Sequence, residues 1–128
     1  MLFGALSLGL NGCDAIRDQE FECVGFDEQR TVAQADTQHS LQARHVPQTI
    51  DFHVRQDYVL VKSFRAPRVT SADQGTRITF ALQAPQASMT GTFDSGNGML
   101  SYNESHQSTI DGQTQITQTT GVYRCSLR

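Results

Sequence analysis

The sequence predicts an all-β fold, a single antiparallel β-barrel or sandwich of about eight short strands. Three observations carry that expectation. Apolar and polar residues alternate with period two in segment after segment, as in strands with one face buried. Glycine-bearing turns, Asp94-Ser95-Gly96-Asn97-Gly98 and Asp111-Gly112, fall between such segments. Thr and Gln are abundant while Lys62 is the only lysine, and the branched Thr side chain suits the solvent face of a strand.

The elements follow in order. Phe21 and Cys23 alternate with Glu22 and Val24 in a first strand. Residues 36–46 hold Leu41, Ala43 and Val46 among polar residues and fit a short helix or a loop, which Pro47 ends in either case. Ile50, Phe52 and Val54 alternate with Asp51, His53 and Arg55. Between 57 and 64, Tyr58, Leu60 and Phe64 share one face and Val59 and Val61 the other, so this segment is expected to be covered on both sides. Residues 66–75, with Arg68, Ser71 and Asp73, read as an exposed loop. The clearest strand is 76–83, with Ile78, Phe80 and Leu82 on one face. Met89, Gly91 and Phe93 precede the first glycine turn, and 99–103 follow it. The Asp111-Gly112 turn joins 108–110 to 114–117, and a last strand over 119–127 places Gly121, Tyr123, Cys125 and Leu127 together.

The N-terminus carries a different signal. Leu2 to Leu10 form an apolar run too short to span a bilayer but of the length of a signal-peptide core. Leu10-Asn11-Gly12-Cys13 then resembles a lipobox, and the composition turns polar at once with Asp14, Arg17, Asp18 and Glu20. The resemblance implies a lipoprotein-type signal peptide over 1–12, acylation at Cys13, a lipidated acidic tether over 13–20 and a β domain over 21–128.

The cysteine count agrees with that division. Of Cys13, Cys23 and Cys125, lipid on the first leaves two, which can pair in only one way. Cys23 shares its face with Phe21, and Cys125 shares its face with Tyr123 and Leu127, so both thiols are expected on the apolar side of the terminal strands. A Cys23–Cys125 disulfide there would close the seam of a barrel; two buried free thiols are the alternative. No Cys-x-x-Cys or Cys-x-x-His spacing points to a metal.

Charge narrows the partners. The formal net charge is −3, concentrated in Asp14, Asp18, Glu20, Glu22, Asp27 and Glu28, which read as a solvated tether region. A nucleic-acid partner needs a clustered basic face, and the chain has none in its pattern. Arg65 and Arg68 flank Ala66-Pro67 beside Phe64, an exposed-looking basic pair suited to an acidic partner or to solvent alone.

Catalytic chemistry has little to stand on. His39, His45, His53 and His106 have no partner at metal-ligand spacing, and no cofactor motif is present. Asp94-Ser95-Gly96-Asn97-Gly98 is a hairpin turn rather than a nucleophile elbow, because period-two strands flank it on both sides. Asp51, Asp57 and Asp94 could furnish a carboxylate pair for glycosidic chemistry, but such pairs can be drawn from most sequences. The expectation is no catalytic centre, no cofactor and no metal.

The layout of Cys13, a short tether, Cys23 in the first strand, a run of hairpins and a closing Tyr123-Arg124-Cys125 strand resembles that of small bacterial cell-envelope lipoproteins. Periplasmic C-type lysozyme inhibitors share the layout; their Ser-Gly loop and Trp-containing strand have no counterpart in this Trp-free chain, so no functional residue carries over. The resemblance implies a domain lipid-anchored to an envelope membrane, in the periplasm or at the surface, that binds another envelope protein. A calycin-like carrier of a small apolar ligand and an inhibitor of a wall-degrading enzyme are the alternative readings.

Overall fold

The computed structural model describes residues 18–33 and 43–128. Eight strands form one antiparallel sheet: β1 (Gln19–Ala33), β2 (Arg44–Val54), β3 (Tyr58–Val61), β4 (Phe64–Pro67), β5 (Arg77–Ala84), β6 (Ala87–Asp94), β7 (Met99–Ile110) and β8 (Gln113–Leu127). Each strand pairs with its neighbours in sequence where a hairpin joins them, and β1 also pairs with β8 from Phe21↔Leu127 to Ala33↔Gln115. The described residues therefore form a nearly closed up-and-down barrel. Its seam lies between β4 and β5. There the wall is held by an isolated bridge, Arg68↔Phe80, and by the Val69 N–H donating to the Thr79 carbonyl at 2.8 Å.

Period-two alternation sorts the side chains. Phe21, Cys23, Ile50, Phe52, Val54, Val59, Val61, Ile78, Phe80, Met89, Phe93 and Leu100 are buried inside, while the wall outside is mostly Ser, Thr, Gln and charged residues. That pattern is the reverse of a lipid-facing barrel wall. Phe52 packs on Phe93 (ring centroids 4.9 Å apart), Phe93 on Phe21 (4.8 Å) and Phe52 on Phe80 (6.2 Å), so the rings fill one end of the interior. Each such aromatic pair adds about 0.5–1.5 kcal/mol beyond the area it buries.

Several expectations shift in detail. The first strand starts at Gln19, two residues before the predicted start of the β domain, and runs on through the acidic segment. In the segment read as a helix or loop, 43–46 are described, and Arg44–Val46 are strand; Pro47 lies inside β2 opposite Phe26, and the rest of that segment is outside the described residues. Pro47 is tolerated because a strand residue can place its missing N–H off the ladder. The segment expected to be covered on both sides is two strands folded at Lys62-Ser63, with Val59 and Val61 inside and Leu60 half-exposed outside. Only part of 66–75 is loop: Ala66 is buried in β4, and Thr70–Ala72 make one 3-10 turn. Residues 99–103 and 108–110 are one strand, β7, and 114–117 continue into β8. Both glycine turns are hairpins, with Asp111 at φ 53 and Gly112 at φ 77, the left-handed pair that matches strand twist.

Candidate functional site

The expected disulfide is present. Cys23 lies directly opposite Cys125 in the β1–β8 ladder, and the two are bonded at a sequence separation of 102. It ties the first strand to the last in the middle of the sheet, on the side away from the β4–β5 seam. Leu127, grouped with Cys125 by alternation, is past the core and 63% exposed, because the strand outruns the barrel end. Cys13 lies outside the described residues, as does His39.

The interior holds a feature that alternation hides. Asp27 continues the inward face of β1 from Phe21 and Cys23, and it is fully buried. One carboxylate oxygen accepts from the hydroxyls of Tyr102 (2.6 Å) and Tyr123 (2.7 Å). The other accepts from Gln48 Nε2 (2.8 Å) and Lys62 Nζ (2.5 Å). All four acceptor sites of the carboxylate are thus used. Gln48 Nε2 also approaches the Tyr123 hydroxyl at 2.9 Å, and Lys62 Nζ lies 5.2 Å from the centre of the Tyr102 ring.

Five strand segments converge to make this cluster. Lys62 reaches it from the β3–β4 turn, where its backbone has φ 57. Tyr102 lies flat because Gly121 faces it: a Cβ at 121 would sit 2.3 Å from the Tyr102 Cζ. The Tyr102 and Tyr123 rings are stacked at 6.0 Å with an interplanar angle of 11°. Each position fits the inward register of its strand, yet the contacts join residues from different hairpins.

Electrostatics follow from these contacts. Burial pushes the Asp27 carboxyl up, but hydrogen bonds from Lys62, Tyr102 and Tyr123, with the Lys62 charge, outweigh it and hold the group below its ordinary 3.8. Burial first, then the bond to Asp27, pushes the Tyr123 hydroxyl up to about 12, and the same causes take Tyr102 further in that direction. Glu104, on the inward face of β7 near Lys62, is raised by burial against the pull of the Lys62 charge. A carboxylate held ionised and saturated with donors makes a poor general base. What the cluster does well is pin β1, β2, β7, β8 and the β3–β4 turn together at the polar end of the barrel.

The remaining candidates scatter. His45 stacks on Phe26 at 4.4 Å on the outer wall, and His53 Nδ1 lies 3.3 Å from the Arg55 guanidinium. Asp51 pairs with Arg128. Asp94 accepts from the Thr76 hydroxyl (2.6 Å) and the Gly96 N–H (2.8 Å), and these bonds lower its pKa as they build the turn. Arg68 is not an exposed partner of Arg65: its guanidinium donates to the carbonyls of Arg55 and Gln56 and to Asp73, fixing the 3-10 segment against β3. Arg65 lies over the Tyr58 ring at 3.9 Å. Among the described residues, no three His, Cys, Asp or Glu side chains gather as a metal site.

Two surfaces remain. A space of about 280 Å³ at the apolar end is lined by Ile78, Phe93, Arg68 and Asp73, just under the roughly 300 Å³ at which small-molecule pockets begin. On the outer wall an apolar stripe crosses β2, β1 and β8. Phe26 is flanked by Pro47 and Val122 in register, and Val24, 61% exposed, lies between Thr49 and Arg124. Glu22, Glu28 and Asp51 border it.

Sequence reasoning missed Asp27, Gln48, Lys62 and Tyr102 as a unit. The available signals were a carboxylate in phase with Phe21 and Cys23, and a lone lysine in the two-residue break between Val61 and Phe64. Comparison with known proteins finds no matching family model, no matching curated protein and no matching solved structure.

Proposed function

We propose that this chain is a lipid-anchored cell-envelope β domain that acts by binding another envelope protein, without catalysis. The observation that carries the reading is the apolar stripe on an otherwise polar wall, with Val24 and Pro47 exposed and Phe26 and Val122 half-buried beside them. An apolar patch rimmed by polar residues is the usual mark of a protein contact. Glu22 and Asp51 at its border are paired with Arg128, and Arg124 lies beside Val24, so the apolar centre rather than a net rim charge is what the stripe offers a partner. The packed rings of Phe21, Phe52, Phe80 and Phe93 weigh against a large internal cavity for an apolar ligand. The saturated Asp27 carboxylate weighs against acid–base chemistry. The lipobox-like Leu10-Asn11-Gly12-Cys13 supports the anchor.

A photo-crosslinking residue placed at Thr49 in living cells, on the stripe, is expected to trap one protein of defined mass, whereas the same probe at Gln83 does not. Val24→Glu with Phe26→Glu should abolish the adduct. Equal labelling from both positions, or an adduct that survives the double substitution, refutes the binding surface. The anchor is tested separately: Cys13→Ala should move the protein from the membrane fraction to the soluble one, and a variant that stays membrane-bound at the original level refutes acylation at Cys13.

A further inference from the structure

The space of about 280 Å³ at the apolar end of the barrel combines two kinds of lining. Ile78 and Phe93, an inward pair in register across the β5–β6 hairpin, give it an apolar surface. Arg68, Asp73 and Arg77 bring charge to the same space. None of its lining residues belongs to the stripe of Val24, Phe26, Pro47 and Val122.

The two arginines differ in how they are used. Arg68 keeps 10% of its side chain exposed; Nη1 donates to the carbonyls of Arg55 (3.0 Å) and Gln56 (3.2 Å), and Nη2 to Asp73 (3.2 Å). Its Nε is the one buried side-chain nitrogen or oxygen among the described residues without a hydrogen-bond partner. Such a group is rare in folded proteins and costly to leave unmet. Asp73 does not meet it, since its other oxygen accepts from the Thr79 N–H at 3.1 Å. Arg77 is exposed. Asp94, opposite it in the β5–β6 register, accepts from the Thr76 hydroxyl and the Gly96 N–H instead, so no acid among the described residues contacts the Arg77 guanidinium.

We infer that this pocket binds a small carboxylic acid with an apolar body, of the size of a short fatty acid. The hydrocarbon lies on Ile78 and Phe93, and the carboxylate is shared by Arg68 and Arg77. A guanidinium carries only donors, and a carboxylate is the acceptor that meets it with short, charge-assisted bonds. The Nε–H of Arg68 is the donor with most to gain. It is shielded from water, so the carboxylate pairs with it as the Arg68 side chain turns toward the pocket. Volume sets the size of the ligand: about 280 Å³ equals roughly nine water volumes of about 30 Å³, room for an acid of about nine non-hydrogen atoms.

The test is NMR titration of the isotope-labelled full chain at neutral pH with hexanoate and with hexanamide, its uncharged counterpart. Hexanoate is expected to shift the amide signals of Ile78, Phe93 and Ser95 together with the Arg68 Nε–H signal. It should bind at least about tenfold more tightly than hexanamide. Arg77→Gln, at an exposed position in contact with no acid, should weaken hexanoate by at least about threefold while leaving the spectrum of the core unchanged. Arg65→Gln, on the Tyr58 ring and outside the pocket, should bind as the unaltered chain does. Absence of shifts with hexanoate overturns the inference. So does equal affinity for hexanamide, undiminished binding by Arg77→Gln, or an Arg68 Nε–H signal that stays in place as hexanoate binds. Shifts confined to the stripe on β2, β1 and β8 overturn it as well. None of these outcomes decides whether the stripe traps a protein, so this inference and the protein-binding reading fail independently.

Discussion

Asp27 concentrates the electrostatics of this molecule on a single buried carboxylate. Among the described residues Lys62 is its one cationic contact, and the lysine keeps 25% of its side chain exposed. Lys62→Gln should therefore cost about 2 kcal/mol at neutral pH, less than the roughly 3–5 kcal/mol for breaking a fully buried pair. The loss is measurable as a shift in the urea midpoint. Because the Asp27 carboxyl is held below 3.8 in the folded state, its contribution is fully present above that value. It disappears as pH falls through the folded value, when the proton enters and the four-donor cluster loses its acceptor. Urea midpoints recorded from neutral to acidic pH should fall over that range in the native protein, and the drop should shrink in Lys62→Gln, whose Asp27 is less strongly ionised. A parallel decline in both proteins contradicts the role given to Lys62. These four residues were only partly legible in the sequence. Their inward phase could be counted along each strand, but which of them met Asp27 depended on strand register between segments 21 to 96 residues apart.

At the scale of elements, hairpin turns and ring-bearing glycines set the geometry. The Asp111-Gly112 hairpin was readable because left-handed backbone angles at two adjacent positions demand those residue types. Gly121 was readable only as a gap in the apolar face, yet it decides where Tyr102 lies. A methyl group at 121 meets the Tyr102 ring at 2.3 Å, so Gly121→Ala should displace that ring and the bond to Asp27. Overpacking of this kind costs about 1–3 kcal/mol. Thermal unfolding should show the loss, and Tyr102→Phe combined with Gly121→Ala should not recover it, since the ring and not the hydroxyl makes the clash. Recovery in the double variant would mean that the hydroxyl network carries the cost. The 66–75 segment misled the reading for a related reason. Its polar residues suggest solvent, whereas Arg68 uses them to cap carbonyls of a neighbouring turn.

For the molecule as a whole, stability is spread unevenly round the barrel. The β1–β8 contact is a long ladder with a disulfide across it, and the β4–β5 contact is a short seam. Hydrogen exchange should accordingly be fastest in β3 and β4 and slowest in β1, β7 and β8. Uniform protection round the barrel contradicts this distribution. Reducing Cys23–Cys125 should destabilise the domain by up to about 4–5 kcal/mol, the loop entropy of a separation of 102 residues. The melting temperature before and after reduction measures it. An unchanged value would show that the ladder alone holds β1 to β8.

The sequence by itself determined the strand-rich class, the hairpin turns and the inward face of most strands, with Cys23–Cys125 the pair expected once Cys13 is set aside. All of these follow from local periodicity, turn stereochemistry or counting. Only the tertiary structure decided that β1 pairs with β8 in mid-sheet and the Cys23–Cys125 bond forms across them, that Asp27 is buried beneath Lys62, and that an apolar stripe crosses the outer wall. Alternation tells which way a side chain points, but not which strand lies beside it. Rows such as Thr90–Asn103–Thr120 and the ring of donors around Asp27 exist only once the registers of several ladders are fixed together.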